Sequence, residues 1–118
     1  MSCGASSGST QTVALSTAAG YGTVTTLPWE RVQGNKIVIG IFVINITSAA
    51  TLNVAVDLSY DNTTTPKPKG NINVTAFGPA ELSVTGIDAG WFRVNLTFVA
   101  AALNQACLVS VTPNQSCQ

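Results

Sequence analysis

Few side chains in this 118-residue chain could do chemistry, and histidine is absent. Histidine is the usual acid or base near neutral pH and the commonest metal ligand. A Ser-His-Asp triad therefore cannot be built, and the chain has no Ser-x-x-Lys sequence to replace it. Most of the five carboxylates fall at turns or outward strand positions, which does not favour a paired acid and base. We predict no catalytic residue and a protein that is not an enzyme.

One short segment resembles the start of a calcium loop. Asp57, Ser59 and Asp61 place oxygen atoms at alternate positions, as an EF-type loop does. The glycine of such a loop is missing, and its twelfth position is Pro68 rather than glutamate. Alternating polar residues at the end of an amphipathic strand give the same spacing. We therefore predict no metal site and no cofactor.

The cysteines do not form a recognisable site. Cys3, Cys107 and Cys117 are odd in number and show no C-x-x-C spacing, which fits neither a disulfide framework nor a zinc site. Free thiols are the favoured interpretation in a reducing compartment. A pair between Cys107 and Cys117 remains open, because ten residues allow a hairpin-like closure.

The two tryptophans are the aromatic candidates for a binding surface. Trp29 follows Pro28, and Trp91 falls on the outward phase of its predicted strand. Exposed tryptophans mark protein interfaces or carbohydrate platforms. Only Arg93 and Asn95 share the phase of Trp91, whereas sugar sites usually add carboxylates and amides. A protein interface is therefore the favoured interpretation, and a carbohydrate site is the alternative.

Strand periodicity runs through the elements that must position these residues. Thr51–Tyr60 alternates with Leu52 to Tyr60 on its inward phase, and Trp91–Phe98 repeats the pattern. Shorter β-branched runs lie at Gln11–Ser16, Thr23–Leu27, Ile72–Phe77, Glu81–Thr85 and Cys107–Thr112. About seven or eight strands predict an all-β, single-domain, antiparallel β-sandwich of jelly-roll type over residues 11–118. Residues 1–10 are predicted to be a flexible arm, and Asp61–Gly70 a projecting loop with a mildly basic tip.

One predicted strand is apolar on both faces. In Lys36–Thr47 we expect one set of side chains to point into the core; its members are Val38, Phe42, Ile44 and Ile46. The other set must then be covered by a neighbouring subunit or by the terminal arm. Its members, Ile37, Ile39, Ile41 and Val43, are predicted interface residues together with Trp29 and Trp91.

Charge argues against several partners. The chain has five basic and five acidic side chains and a net charge of zero, so no field attracts nucleic acid or an anionic membrane. Ile37–Ile44 is far too short to span a membrane, and the N-terminus does not resemble a secretory signal. Such neutrality favours association between copies.

The segment from Leu52 to Phe98 resembles small accessory virion proteins of tailed bacteriophages. The resemblance rests on a strand ending in Leu58-Ser-Tyr-Asp-Asn62 and on the later strand Ala89-Gly-Trp-Phe-Arg-Val-Asn-Leu96. Thr63-Thr-Thr65 stands where the family often has Gly-x-x-Trp. The resemblance implies a capsid decoration, cement or tail-associated protein that binds other virion proteins as a trimer or another homo-oligomer.

We therefore expect a structural virion protein, assembled in the host cytoplasm, that contacts a capsid shell and copies of itself. Neither nucleic acid nor a membrane is an expected partner. The alternative is a carbohydrate-binding or adhesin-type β-sandwich that uses an exposed tryptophan.

Overall fold

The computed structural model describes residues 6–7, 10–16, 22–46, 50–60, 67–99 and 105–116. In these ranges the regular structure is entirely β. The strands are β1 (Ser6–Ser7), β2 (Gln11–Ser16), β3 (Gly22–Thr26), β4 (Glu30–Arg31), β5 (Lys36–Ile46), β6 (Thr51–Ser59), β7 (Lys67–Val74), β8 (Gly78–Thr85), β9 (Trp91–Val99) and β10 (Ala106–Ser116). β1 lies within the segment predicted to be a flexible arm.

The strands form two antiparallel sheets. Sheet I has the order β2-β10-β5-β8, with β1 also paired to β10, and sheet II has the order β3-β9-β6-β7, with β4 also paired to β9. The pairing is nested, since β2 pairs with β10, β3 with β9, β5 with β8 and β6 with β7. This order is that of an eight-stranded jelly roll. The prediction of an all-β antiparallel sandwich is confirmed.

The core lies between the sheets and is supplied by alternate residues of each long strand. The core side chains of β6 and β9 are each at most 1% exposed; they are Leu52, Val54, Val56 and Leu58 from β6 and Phe92, Val94, Leu96 and Phe98 from β9. The alternation in the sequence therefore identifies their inward phase correctly. Tyr60 is the exception, because it lies on the bend after β6 and is 69% exposed.

The predicted orientation of β5 is wrong. Ile37, Ile39, Ile41 and Val43 are core residues, 0 to 3% exposed, and cannot contact a partner in the folded protein. The opposite phase faces outward, with Phe42 49% exposed. Directly opposite residues in an antiparallel pair lie on the same face of the sheet. The strands on either side of β5 therefore determine which of its side chains point into the core. Ile39 is opposite Leu82 of β8, and Ile41 is opposite Val111 of β10.

A bulge separates the end of β5 from this pattern. Val43 is opposite Val109, but Asn45 is opposite Leu108, so that Ile44 is an extra residue on β5. Ile44 is exposed, whereas Ile46 is opposite Cys107 and packs against the core. The inward prediction was therefore right for Ile46 and wrong for Val38, Phe42 and Ile44.

Prolines and glycines occupy strands where the sequence suggested breaks. Lys67–Gly70, expected in a projecting loop, belong to β7, and residues 61–66 of that loop lie outside the described ranges. Pro68 is tolerated because β7 is an edge strand. On one side, β10 pairs with β2 as far as Val111 and with β1 from Asn114 onward. Pro113 lies in the gap between these two paired segments.

Candidate functional surfaces

Exposed apolar side chains lie on the outer face of sheet I and in the bend that leads into β8. We define the apolar patch as Phe42, Ile44 and Pro79 of sheet I together with Phe77 of the bend, which is 77% exposed. Phe42 is directly opposite Pro79, and Phe77 precedes Gly78, which is opposite Val43. Gly78 has a φ of 115°, a conformation that L side chains rarely adopt, so a glycine turns the chain at this corner.

The surroundings of the apolar patch are nearly uncharged. In the described strands, the outer face of sheet I has two charged side chains, Glu81 two residues beyond Pro79 and Lys36 at the start of β5. On the same outer face, β10 contributes Leu108 and Ser110 and β2 contributes Thr12 and Ala14, all of them uncharged. A cluster of exposed aromatic residues on a neutral face is typical of a protein contact. The sequence analysis placed Phe42 and Ile44 inside because both phases of β5 are apolar.

The outer face of sheet II carries a polar network that is organised around Asp57. Asp57 of β6 lies opposite Arg93 of β9 and is 8% exposed. The Nε of Arg93 donates to Asp57 Oδ2 at 3.3 Å, and the Nδ2 of Asn95 donates to the same oxygen. A charge buried to this extent needs such donors, because it has lost most of its hydration. Asp57 is thus a structural acceptor.

Both tryptophans lie under a guanidinium, and Trp29 is joined to the Asp57 network in this way. The Arg93 guanidinium lies over the ring of Trp29, 4.5 Å from its centroid, and the Arg31 guanidinium lies over Trp91 at 5.0 Å. Arg31 is opposite Trp91 in the β4–β9 pair. The N–H of Leu27 donates to the carbonyl of Val94, and this bond holds the segment before β4 against β9. Each ring therefore has one face covered by a cation.

The sequence brought Arg93 and Asn95 near Trp91 but missed Asp57 and the contact between Trp29 and Arg93. Asp57 and Arg93 each fall on the outward phase of their strands in the sequence. This places them next to each other only once β6 and β9 are known to pair. The same face also carries an amide ladder, in which Asn53 Nδ2 donates to the Oδ1 atoms of Asn71 and Asn73 at 3.2 and 2.9 Å. Two exposed valines, Val24 of β3 and Val99 of β9, lie on this face as well.

A cavity of about 150 Å³ opens between the sheets at the side formed by β2 and β3. It is lined by Gln11, Leu27, Pro28, Glu30, Val111 and Pro113. Burial raises the pKa of the Glu30 carboxyl. No other titratable group of the described chain lines this cavity, so it holds no pair of groups for acid–base catalysis.

The described residues offer no cluster for a metal. They contain no group of three histidine, cysteine, aspartate or glutamate side chains placed to hold an ion, and Asp61 of the rejected calcium pattern lies outside them. Cys107 is a free, buried thiol whose pKa is raised to about 11 by burial. Cys3 and Cys117 lie outside the described ranges. No helix of the described chain is long and apolar enough to cross a membrane.

No protein-family model and no curated protein matches this chain. The resemblance to accessory virion proteins therefore rests on its two sequence motifs. The first motif ends at Asn62, outside the described residues, whereas Trp91 and Arg93 of the second lie on β9.

Proposed function

We propose that this protein is a non-enzymatic structural protein, a capsid decoration or cement protein of a tailed phage, that acts by burying surface against copies of itself and a protein shell. The observation that carries the proposal is the apolar patch on the outer face of sheet I, in a chain whose net charge is zero. The expected location is the virion.

The free energy of such a contact comes from the apolar area that it buries. Burying apolar surface is worth roughly 25 cal/mol per Å², and aromatic side chains bring a large area at a small entropic penalty. Association must offset the loss of translational and rotational freedom and the ordering of side chains. A neutral surface adds no long-range repulsion between copies. Phe42 and Phe77 are the expected anchors of the contact.

The fold is compatible with this role. Jelly rolls occur in viral capsid proteins, lectin domains and cupins, and an analogy of fold alone does not select a function. The absence of histidine argues against cupin-type metal chemistry. The resemblance to accessory virion proteins favours the capsid role and a trimeric assembly.

Light scattering of the purified protein tests the contact. We expect a homo-oligomer for the wild type and a lower mass for Phe42→Asp, because the substitution places a charge in the apolar patch. Ser83→Asp is the matched control, since Ser83 is exposed on the same outer face, opposite Val38. It should keep the wild-type mass. Equal masses for all three proteins would contradict the role of the apolar patch.

Gene neighbourhood tests the virion part of the proposal independently. Capsid and portal genes beside this gene would support a decoration role. A neighbourhood of surface-adhesin or polysaccharide genes would contradict it.

The alternative function is carbohydrate binding through Trp29 or Trp91. The polar network of sheet II, in which Asp57 and Asn95 lie beside the Arg93 that covers Trp29, is the observation in its favour. Against it, a guanidinium covers one face of each ring. A glycan array with wild type and Trp91→Ala decides: binding that is lost in the variant supports the alternative, and no binding supports the structural role.

A further inference from the structure

The two sides of the sandwich differ in how their edge strands are protected. β7 and β8 form the edges of one side. β7 begins Lys67-Pro68-Lys69 and β8 carries Pro79 and Glu81. Lysines, prolines and bulges on an edge strand are the usual obstacles to pairing with another chain. β7 has all three, because its register with β6 shifts between Val56 and Asp57.

The long edge strands of the opposite side lack these obstacles, although the two-residue strand β4 there consists of Glu30 and Arg31. β2 and β3 are the long edge strands there, and neither contains a proline or a charged residue. The first charged side chain of the whole sequence is Glu30. Among the described strands, β2 pairs with β10 alone. Alternate N–H and C=O groups of an edge strand point away from its one partner and can bond another strand.

We propose that β2 is a strand-pairing edge that joins two copies of this chain, antiparallel and about a two-fold axis, into one continuous sheet. The inference rests on the proposed self-association and specifies its geometry. It replaces the trimer that the resemblance favours with an even-numbered assembly, because a two-fold contact joins copies in pairs.

Symmetry restricts the register of this contact, because one residue of β2 must lie opposite itself on the axis, and we place Val13 there. A two-fold axis normal to the sheet keeps the outer face of both copies on one side, and opposite residues of an antiparallel pair share a face. Thr12 and Ala14 are exposed on the outer face, opposite Ser110 and Leu108 of β10. With Val13 on the axis, Thr12 of each copy therefore lies opposite Ala14 of the other.

A second copy fits this edge better than a charged partner would. Thr12 and Ala14 are small and neutral, so their pairing across the axis creates no repulsion. On the inward phase, Val13 packs against the core, and its meeting with Val13 of the second copy continues the core across the junction. β2 is preferred to β3 because it is longer and belongs to the sheet that carries the apolar patch.

Paired charge substitutions test the edge by light scattering. The variant Thr12→Lys with Ala14→Lys places lysines opposite each other across the axis and should reduce the measured mass by half or more. The variant Thr12→Lys with Ala14→Glu places each lysine opposite a glutamate and should keep the wild-type mass. A third variant, Ser83→Lys with Thr85→Lys, adds the same charge to β8 at the other edge of sheet I; it too should keep the wild-type mass.

Each outcome decides a different statement. If the double-lysine variant of β2 keeps the wild-type mass while Phe42→Asp loses it, the edge inference is wrong and the proposed function stands. If the lysine–glutamate variant dissociates, the register is wrong. A monomeric wild type overturns both proposals. Hydrogen exchange of the wild type gives a second readout, since β2 amides should exchange faster on dilution if the edge is paired.

Discussion

The Nε of Arg93 and the Oδ2 of Asp57 lie 3.3 Å apart, joining β9 to β6 across the outer face of sheet II. The side chains are 24% and 11% exposed, so the pair is shielded from solvent to a large extent. Arg93 also covers the ring of Trp29, which links the pair to the segment before β4. This one contact connects three parts of the sheet.

Removal of the Asp57 carboxylate should destabilise the protein. Asp57→Ala leaves Arg93 and Asn95 without their acceptor, and the loss of a partner to part-buried polar groups costs about 1–3 kcal/mol. Asp57→Asn keeps the shape and one acceptor oxygen, and should lose less. Urea unfolding followed by tryptophan fluorescence measures both. An unchanged free energy of unfolding for Asp57→Ala would show that the network contributes nothing.

Gln115 should be a second structural contact, between β10 and the chain after β4. It is buried; its Oε1 accepts the N–H groups of Gln33 and Gly34, and its Nε2 donates to the carbonyl of Arg31. Gln115→Ala removes these bonds and should cost about 1–3 kcal/mol of unfolding free energy. Asn114→Ala, one residue earlier and on the other face, is the control and should stay within about 0.5 kcal/mol of wild type. Equal losses in urea unfolding would contradict the role of Gln115.

Cys107 should be unreactive in the folded protein. Burial raises its pKa from 9.0 to about 11, and the thiolate is the reactive form. Because the folded state holds this proton more tightly than the unfolded chain, the stability it contributes is complete below pH 9 and is lost as pH rises toward 11. In a Cys3→Ser, Cys117→Ser variant, Ellman's reagent should modify Cys107 only as fast as the protein unfolds. Rapid modification at neutral pH would place the thiol at the surface.

Neighbouring residues of β5 should respond in opposite ways to the same substitution. Ile41→Asp buries an unpaired carboxylate between the sheets, which costs more than about 4 kcal/mol and should prevent folding. Phe42→Asp changes an exposed side chain, and the monomer should keep its fold. Circular dichroism distinguishes the two variants. A folded Ile41→Asp protein would restore the orientation that the sequence suggested for β5.

The sequence predicted the strands well wherever one face was polar. β6 and β9 alternate so clearly that their apolar core residues could be named without coordinates, whereas the burial of Asp57 and Ser59 on the outward phase of β6 could not. In β5 both phases are apolar, so the pattern of one strand could not choose between Ile41 and Phe42. The choice is made by pairing with Leu82 and Val111, which are distant in the sequence.

The polar network of sheet II was hidden for a similar reason. Asp57 and Arg93 are 36 residues apart, and nothing local in either strand indicates that they are opposite each other. Trp29 was visible as an aromatic candidate, but its contact with Arg93 depends on the course of residues 27–29 beside β9. Periodicity therefore predicts which side of a strand a residue faces, whereas contacts between strands depend on a register that the sequence of one strand does not contain.

Both proposals require that the protein acts as an assembly of copies. Sedimentation equilibrium of the unmodified protein, from micromolar to submillimolar concentration, measures whether it does. We predict a mass that is a multiple of the 12.1 kDa chain and falls on dilution. A constant mass of 12.1 kDa over the whole range would contradict the account.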